Sequence, residues 1–251
     1  MTTILLVLAA GIAMLIWEQR FPGRRFPVVQ GWRLRAIALN AIQALVSWVA
    51  TVTWNRWFPG AALSHLGGHG AVADALVGYV AITFVYYWWH RARHEVPFLW
   101  RWMHQVHHSA SRIEVLTSFY KHPIEILTNG LLSSAIVYLL LGLSPASAGL
   151  AFALTGFAEL FYHWNIRTPH WLGYVFQRPE SHCVHHQLGH HTNNFSDLPL
   201  WDLLFGTLEN PRIGPSECGF GPAAERRLSS LLRGADERVA RAGTQPAERT
   251  S

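Results

Sequence analysis

The protein has 251 residues, of which 50% are hydrophobic and only 14% are charged. This composition excludes an intrinsically disordered chain and is unlike that of an ordinary soluble domain. The formal net charge is +5, but the basic residues are scattered between apolar stretches, so we predict no nucleic-acid partner. The only cysteines, Cys183 and Cys218, exclude a disulfide scaffold and a zinc site made of four cysteines.

Long apolar segments predict a membrane protein. A helix needs about 20 mostly apolar residues to cross a bilayer, and the segments that qualify are 1–17, 36–54, 71–89, 126–143 and 146–162. The first lacks the basic region of a secretory signal, so we interpret it as a retained anchor. The predicted fold is therefore all-α and integral to the membrane, with four to five transmembrane helices and a cytoplasmic, histidine-rich helical cap formed by 90–123 and 164–207.

Basic residues are concentrated in alternate connections between these segments. The stretches 18–35 and 90–123 each contain five, whereas the connection between the second and third segments contains only Arg56. Because basic connections face the cytoplasm, the N-terminus is expected outside, and the histidine-rich region and the C-terminus are expected in the cytoplasm. Arginine outnumbers lysine 19 to one, as in GC-rich bacterial genomes, which indicates a bacterial inner membrane.

Histidine is the most informative residue type in this chain. Of the 15 histidines, 13 lie between His90 and His191. They form an HxxxH cluster at 90–94 and HxxHH clusters at 104–108 and 182–186. On a helix these spacings place the rings on one face. Imidazole nitrogen is a good ligand for iron, zinc, copper or nickel, and three matched clusters suit two ions better than one.

Several histidines also have simpler interpretations. A single HxxxH pair is common on helices, and His65 and His69 are interpreted as structural because two glycines interrupt the helix between them. Unpaired histidines beside hydrocarbon are costly, which favours a function for the three clusters together. His122 and His163 are further metal-ligand candidates. Cys183, inside the third cluster, is interpreted as a small packing residue.

Further motifs accompany the clusters. Residues 122–125 form an HPxE element, 163–165 form HxN, and 200–207 read LWDLLFGT. Together with WHRARHE over 89–95 and LWRWMHQVHHS over 99–109, this order resembles the fatty acid hydroxylase/sterol desaturase superfamily. The resemblance extends over about 71–211. It divides the chain into N-terminal membrane anchor helices (1–70), a histidine-box hydroxylase/desaturase domain (71–211) and a cytoplasmic tail (212–251), with one short amphipathic helix and then disorder.

The resemblance implies an integral-membrane non-haem dimetal oxygenase. The metal ligands that it implies are His90, His94, His104, His107, His108, His163, His182, His185 and His186. His122 is either a ligand or a neighbour of the ligands.

Ligating imidazoles usually donate their second N–H to a carboxylate or carbonyl. The candidates for that role are Glu125, Glu159, Asn165, Asp202 and Glu180. Glu159 occupies a position where some relatives have histidine, so it either reaches a metal or pairs with a basic residue. His190 and His191 are interpreted as surface groups or neighbours of the ligands, and His170 as structural.

The main hypothesis is an enzyme that hydroxylates a lipid or sterol-like substrate. It would use two iron ions and O₂ as co-substrate, and zinc could occupy the same site in the purified protein. The sequence contains no GxGxxG motif and no cysteine set for an iron–sulfur cluster, which implies a separate electron donor of ferredoxin, cytochrome b5 or reductase type. Three alternatives remain open: a desaturase with the same metal site, a metal-binding transporter, and a structural scaffold.

Overall fold

The computed structural model describes residues 2–236, and its regular elements in that range are helices, with one isolated β-bridge between Gln187 and Cys218. The α-helices in chain order are α1 Thr2–Arg20, α2 Trp32–Val52, α3 Trp54–Trp57, α4 Ala71–Glu95, α5 Pro97–Leu99, α6 Gln105–His108, α7 Pro123–Ser134, α8 Pro145–His163, α9 Pro179–His185, α10 Pro199–Leu204, α11 Pro222–Glu225 and α12 Leu228–Leu231. Tighter 3₁₀ turns lie at Phe58–Ala61, Val115–Thr117 and His170–Tyr174, and wider π-helical turns at Trp100–His104 and Ala135–Leu140.

Four helical segments are long and apolar enough to cross a membrane. They are Thr3–Arg20, Trp32–Ala61, Ala71–Glu95 and Pro123–Leu140. The fifth predicted segment forms α8, which has 19 residues but is not among the four that meet this measure of length and hydropathy. The prediction of an all-helical membrane protein with a histidine-rich cluster is therefore confirmed for the described residues.

Helices α7 and α8 begin where the sequence supplies a cap and a proline. His122 precedes α7 and its Nδ1 accepts the N–H of Ile124 at 3.1 Å, while Pro123 takes the first helical position. Ser144 and Pro145 begin α8 in the same way. Proline suits this position because its missing N–H would have no partner there.

The helices pack as a bundle around α4 and α8. These two lie side by side along most of their length, with α1 against α8 and α2 against α7. A Cβ at Gly78 would lie 2.9 Å from Leu143 Cδ1 and 3.3 Å from Ala151 Cβ, so glycine permits the close approach of α4 to α8.

The connections lie at two ends of the bundle. The α1–α2 connection lies at the histidine-rich end, where Gly23 N–H donates to Asn165 O at 2.8 Å. The connection before α4 lies at the opposite end, where Leu63 N–H donates to Leu139 O at 2.7 Å. The basic connection 18–35 is thus at the same end as the histidines.

The first part of the predicted tail packs into the cap. Phe220, Ala224 and Leu231 are buried in one cluster with Trp100 and Val106. Two short helices, α11 and α12, stand where one amphipathic helix was expected. The disorder expected beyond them falls on 237–251, which lie outside the described residues, and the three-part division of the chain stays a prediction.

Candidate metal centre

Nine buried or half-buried histidines form two groups beside the ends of the long helices. In each group, one ring nitrogen from every member lies within 4.8 Å of those of the others. Group A consists of His90, His94, His104, His108 and His185, and group B consists of His107, His163, His182 and His186. The groups adjoin, because the rings of His108 and His186 stack with centroids 4.1 Å apart.

Each HxxHH cluster is divided between the two groups. His104 and His108 belong to group A, while His107 belongs to group B. The third cluster has the reverse division, with His182 and His186 in group B and His185 in group A. At 3.6 residues per turn, positions i and i+4 lie about 40° apart, and position i+3 lies about 60° to the other side. Each cluster can therefore supply a pair to one ion and a third ring to the other.

The tautomers of group A leave several lone pairs facing one another. His90 Nδ1 donates to Phe195 O at 2.7 Å, and His104 Nδ1 donates to Glu125 Oε1 at 3.0 Å. A neutral imidazole that donates from Nδ1 has only a lone pair at Nε2. The two Nε2 atoms are nevertheless 2.8 Å apart, so neither can donate to the other. A cation between them removes this repulsion, which is the behaviour expected of a metal site.

Two further members of group A, His94 and His185, also donate from Nδ1 to a backbone carbonyl. His94 Nδ1 donates to His191 O at 2.8 Å, and His185 Nδ1 donates to Asn193 O at 2.6 Å. The Nε2 atoms of both rings are buried and have no hydrogen-bond partner among the described residues. Such orphaned acceptors are costly in a protein interior unless they bind a metal.

One short loop supplies three of the carbonyls that orient group A. It runs from His191 to Phe195, and we refer to these residues as the carbonyl loop. His191, Asn193 and Asn194 have positive φ angles of 45°, 65° and 49°, a left-handed conformation that asparagine tolerates better than most residues. In this loop the alternate carbonyls of His191, Asn193 and Phe195 face His94, His185 and His90 respectively.

Asp202 holds the end of the carbonyl loop in place. Its carboxylate accepts the backbone N–H groups of Phe195 at 2.8 Å and Ser196 at 3.0 Å, and the hydroxyl of Thr207 at 2.7 Å. Burial raises the pKa of Asp202 to about 6. Asp202 is thus connected to His90 through the backbone of Phe195.

Glu125 orients His104 from the opposite side. It forms a buried ion pair with Arg93 and accepts a hydrogen bond from His104 Nδ1. A charged acceptor strengthens such a bond and raises the basicity of the ring as a ligand.

Group B is oriented by helix and side-chain groups. His163 Nδ1 donates to Glu159 O at 2.8 Å, one turn back along α8, and the amide of Gln177 lies 3.0 Å from His182 Nδ1. The Nε2 atom of His163 is 3.1 Å from that of His182 and 3.3 Å from that of His107. The Nδ1 atoms of His107 and His186 are buried and lack a hydrogen-bond partner among the described residues.

Burial keeps these imidazoles neutral. It is the largest cause that lowers the pKa of His104, His107 and His108 well below the usual range. The pKa of His185 is lowered to about 3, again mainly by burial. Neutral imidazole is the form that binds a metal ion, so the rings are ready to ligate at pH 7.

Some predicted site residues lie outside both groups. His122 is occupied as the cap of α7 and bonds through Nε2 to Leu232 O at 3.2 Å. The carboxylate of Glu159 pairs with Lys121. Asn165 bonds through its side chain to the backbone of Arg24 on both sides, and Glu180 pairs with Arg178 at 3.1 Å.

The remaining histidines and Cys183 have local partners. His170 bonds to Asn210 O, and the half-exposed His190 lies 3.3 Å from Glu209. His191 Nδ1 lies 3.1 Å from His108 Nδ1, so this ring is beside the ligand candidates rather than on the surface. Cys183 packs in a small buried cluster with Ile113 and Cys218.

Sequence reasoning missed the groups that orient the rings through the backbone. Asn193 and Phe195 act through carbonyls, which every residue possesses, so their side chains give no signal. Arg93 and Gln177 touch His104 and His182 directly. The adjacent asparagines in residues 192–195 (TNNF) are the one available signal, because asparagine is favoured in turns with positive φ.

Comparison with a family model and with curated proteins points to the same family. The family model for fatty acid hydroxylase matches residues 75–207. The chain is 35% identical to the ornithine lipid hydroxylase of Rhizobium tropici over 167 residues, which cover 64% of this chain and 50% of that protein. It is 28% identical to a cholesterol 25-hydroxylase-like protein of Danio rerio over 184 residues, 70% of this chain and 72% of that protein.

A third relative, the alkylglycerol monooxygenase of Homo sapiens, is 30% identical over 140 residues, 52% of this chain and 29% of that protein. The chain spans about half the length of the first curated relatives that it matches. No solved structure matches it. The family model covers more than half of the chain and includes the whole histidine-rich region from His90 to His191, and the chain therefore belongs to the fatty acid hydroxylase family.

Proposed function

We propose that this protein is an integral-membrane dimetal oxygenase that hydroxylates a lipid. The observation that carries the proposal is the convergence of ring nitrogens in groups A and B, within 4.8 Å in each group. All members of the two groups are proposed as metal ligands. His122 is left out of this set, because both of its ring nitrogens already have partners.

We propose iron for both ions. Two bound iron ions would supply O₂ activation and the oxidising power that breaks an unactivated C–H bond, chemistry that amino-acid side chains do not provide. Zinc also binds imidazole but has no redox chemistry, so a zinc-loaded protein would be inactive.

The chain's own residues bind, orient and protect the centre. Carbonyls of the carbonyl loop and the Glu125 carboxylate fix the ring orientations in group A. Trp100 and Val106 are fully buried beside the histidines and exclude water. Exclusion of water protects a reactive oxidant from side reactions.

The substrate is proposed to be a lipid or sterol whose hydrocarbon part lies in the bilayer. The names of the relatives from Rhizobium tropici and Homo sapiens, a lipid hydroxylase and an alkylglycerol monooxygenase, favour hydroxylation over desaturation. Electrons are proposed to come from a separate protein of ferredoxin, cytochrome b5 or reductase type.

We also propose that the histidine-rich end faces the cytoplasm of a bacterial inner membrane. Support comes from the stretch 18–35, which contains five basic residues and includes the α1–α2 connection, at that end of the bundle beside Asn165. Basic connections remain on the cytoplasmic side during insertion.

Metal content of the detergent-purified protein tests the proposal. The double variant His107→Ala/His108→Ala removes one ligand from each group, and the control His65→Ala removes an exposed histidine outside both. We expect about two irons per chain in the wild type and the control, and a large loss in the double variant. A folded wild-type chain that binds no transition metal would overturn the proposal. Equal binding by all three proteins would place the ligands elsewhere and favour a transporter or scaffold.

Product analysis then separates the two oxidation outcomes. Lipids extracted from cells that express the wild type should gain one oxygen atom, a mass increase that the double variant does not produce. A loss of two hydrogens without added oxygen would identify a desaturase.

A further inference from the structure

One face of the cap is apolar although it lies outside the four membrane-crossing candidates. It is formed by α10 and by the 3₁₀ turn His170–Tyr174, which pack side by side. Its exposed side chains, which we call the apolar patch, are Trp171, Tyr174, Val175, Phe176, Leu200, Leu203, Leu204 and Phe205. Leu203 and Leu204 are each 62% exposed and Trp171 is 65% exposed.

The elements of the patch have polar residues inside and apolar residues outside. In α10, Asp202 is fully buried while the neighbouring Leu203 and Leu204 point outwards. After the turn, Val175 and Phe176 are exposed whereas Gln177 and Arg178 are buried. A helix that faces water has the opposite arrangement. An exposed apolar face of this kind marks contact with a membrane or another protein.

Another face of the same cap has the arrangement that suits water. In α11 and α12, Ala224 and Leu231 are buried. Arg226 and Arg233 on this side are exposed. The arrangement with polar residues inside and apolar residues outside is therefore confined to the apolar patch and does not extend over the whole cap. The two faces thus have different surroundings.

The patch continues the outer surface of α4. The ring of Trp201 lies 5.0 Å from that of Phe84, and the ring of Phe205 lies 4.7 Å from that of Trp88. Phe84 and Trp88 are exposed on a membrane-crossing candidate. They precede the end of α4 at Glu95 by about 10–16 Å, at 1.5 Å per residue. The patch therefore lies beside the end of this helix, where a bilayer boundary falls.

A groove joins the two surfaces. It has a volume of about 500 Å³ and runs between α4 and Trp201, lined by Leu76, Val77, Val80, Ala81, Phe84 and Trp201. Every lining side chain is apolar apart from the indole N–H of Trp201, which donates to Thr83 Oγ1. Such a groove suits a hydrocarbon chain.

We propose that the apolar patch lies in the boundary between headgroups and acyl chains, in the leaflet where α4 ends, and that lipid covers it. Trp171 and Tyr174 are residue types enriched at this depth of a membrane. The exposed side chains of the patch carry no charge, as expected for burial in a lipid interface. The cap would thus rest on the membrane, with the groove beside Trp201 open to acyl chains.

Spin labels on the reconstituted full chain test this placement. Leu203→Cys places a label in the patch, and Ile213→Cys places the control label at an apolar residue that is 85% exposed and outside it. The native Cys183 and Cys218 are buried and should not react. In phosphatidylcholine–phosphatidylglycerol vesicles, the label at 203 should collide several-fold more with O₂ than with a water-soluble nickel chelate. The label at 213 should show the reverse preference.

Two results would overturn the proposal. Exposure of the label at 203 to the nickel chelate, equal to that at 213, would mean that water covers the patch. Shielding from both reagents would mean that protein covers it, such as a second copy of the chain. Should Leu203→Cys lose helical content, Tyr174→Cys reports on the other element of the patch. The label measurements require neither bound metal nor activity. A negative result for the apolar patch is therefore distinguishable from a negative result for the proposed oxygenase.

Discussion

Groups A and B use the same side chain but are held in different ways. Group A is oriented largely by backbone carbonyls of the carbonyl loop, three of whose five residues adopt left-handed conformations. Group B is oriented by a carbonyl within α8 and by the amide of Gln177. Loops depend on a few local contacts, whereas helix positions are fixed by the whole helix. Group A should therefore be the more sensitive of the two to changes outside its ligands.

Loss of a ligand should have the largest effect and should be selective. His90→Ala removes a ligand candidate from group A, and His163→Ala removes one from group B. We expect each variant to retain about one metal ion per chain and to lose activity by more than about 100-fold, beyond the usual effect of losing an outer partner. Elemental analysis and mass spectrometry of lipid products measure both effects. Loss of both ions from either variant would show that the groups do not bind independently.

Glu125→Gln should weaken group A by about 10–100-fold in metal affinity, the range found when an outer partner of a ligand is lost. The change removes the charge that His104 Nδ1 faces, and it leaves Arg93 unpaired. The affinity is measured by chelator competition.

Glu180→Gln is the matched control for this change. Glu180 is also buried and paired with an arginine, Arg178, at 3.1 Å, but it lies outside both groups. Both variants should unfold at lower temperature than the wild type. If Glu180→Gln loses metal to the same extent as Glu125→Gln, general destabilisation would explain the result.

Asp202→Asn should have a smaller effect on group A, about 10-fold in metal affinity, at the lower end of the effects of outer partners. The carboxylate accepts the N–H groups of Phe195 and Ser196, and Phe195 in turn accepts from His90. An asparagine has one acceptor oxygen in place of two, so the loop becomes less well fixed.

Asp74→Asn provides the control at the opposite end of the bundle. Asp74 also accepts two backbone N–H groups, from Gly68 at 2.9 Å and His69 at 3.2 Å. It should leave both ions in place. Equal metal loss from Asp202→Asn and Asp74→Asn would contradict the role of the carbonyl loop.

Substitutions at Asn193 should have the smallest effect. Asn193 has φ 65°, and a non-glycine residue in the left-handed region costs roughly 1–2 kcal/mol. Asn193→Ala and Asn193→Gly both remove the side chain, but only alanine adds the strain. The free energy of unfolding of Asn193→Ala should therefore be about 1 kcal/mol lower than that of Asn193→Gly. Asn193→Ala should also bind the group A ion more weakly. Indistinguishable variants would show that the left-handed conformation is not what positions His185.

The features that could be predicted from the sequence are the long helices and the histidine clusters, because both appear as regular patterns along the chain. Uncharged segments predicted the long helices, and the HxxxH and HxxHH spacings predicted clustered rings. The division of each HxxHH cluster between two groups was not predicted, because it depends on which side of α6 or α9 faces which neighbour. The spacing is compatible with one ion or with two.

Two other features depend on tertiary contacts. His122 has a motif position beside the metal-ligand candidates, yet its ring caps α7. The charged composition after Ala223 gave no sign that this segment packs against the cap, yet Leu231 is buried there, and Glu225 accepts the N–H of Ser111 at 2.9 Å. Composition does not show that a charged residue has a buried partner far away in the chain.

The most direct test of two separate ion sites is a Mössbauer spectrum of the wild-type protein loaded with ⁵⁷Fe, together with its metal content. Groups A and B differ in the number of histidines and in what orients them, so two irons per chain with two distinct signals of equal area are expected. A single iron per chain, with one signal and both groups contributing to it, would contradict the division of the histidines into two metal sites.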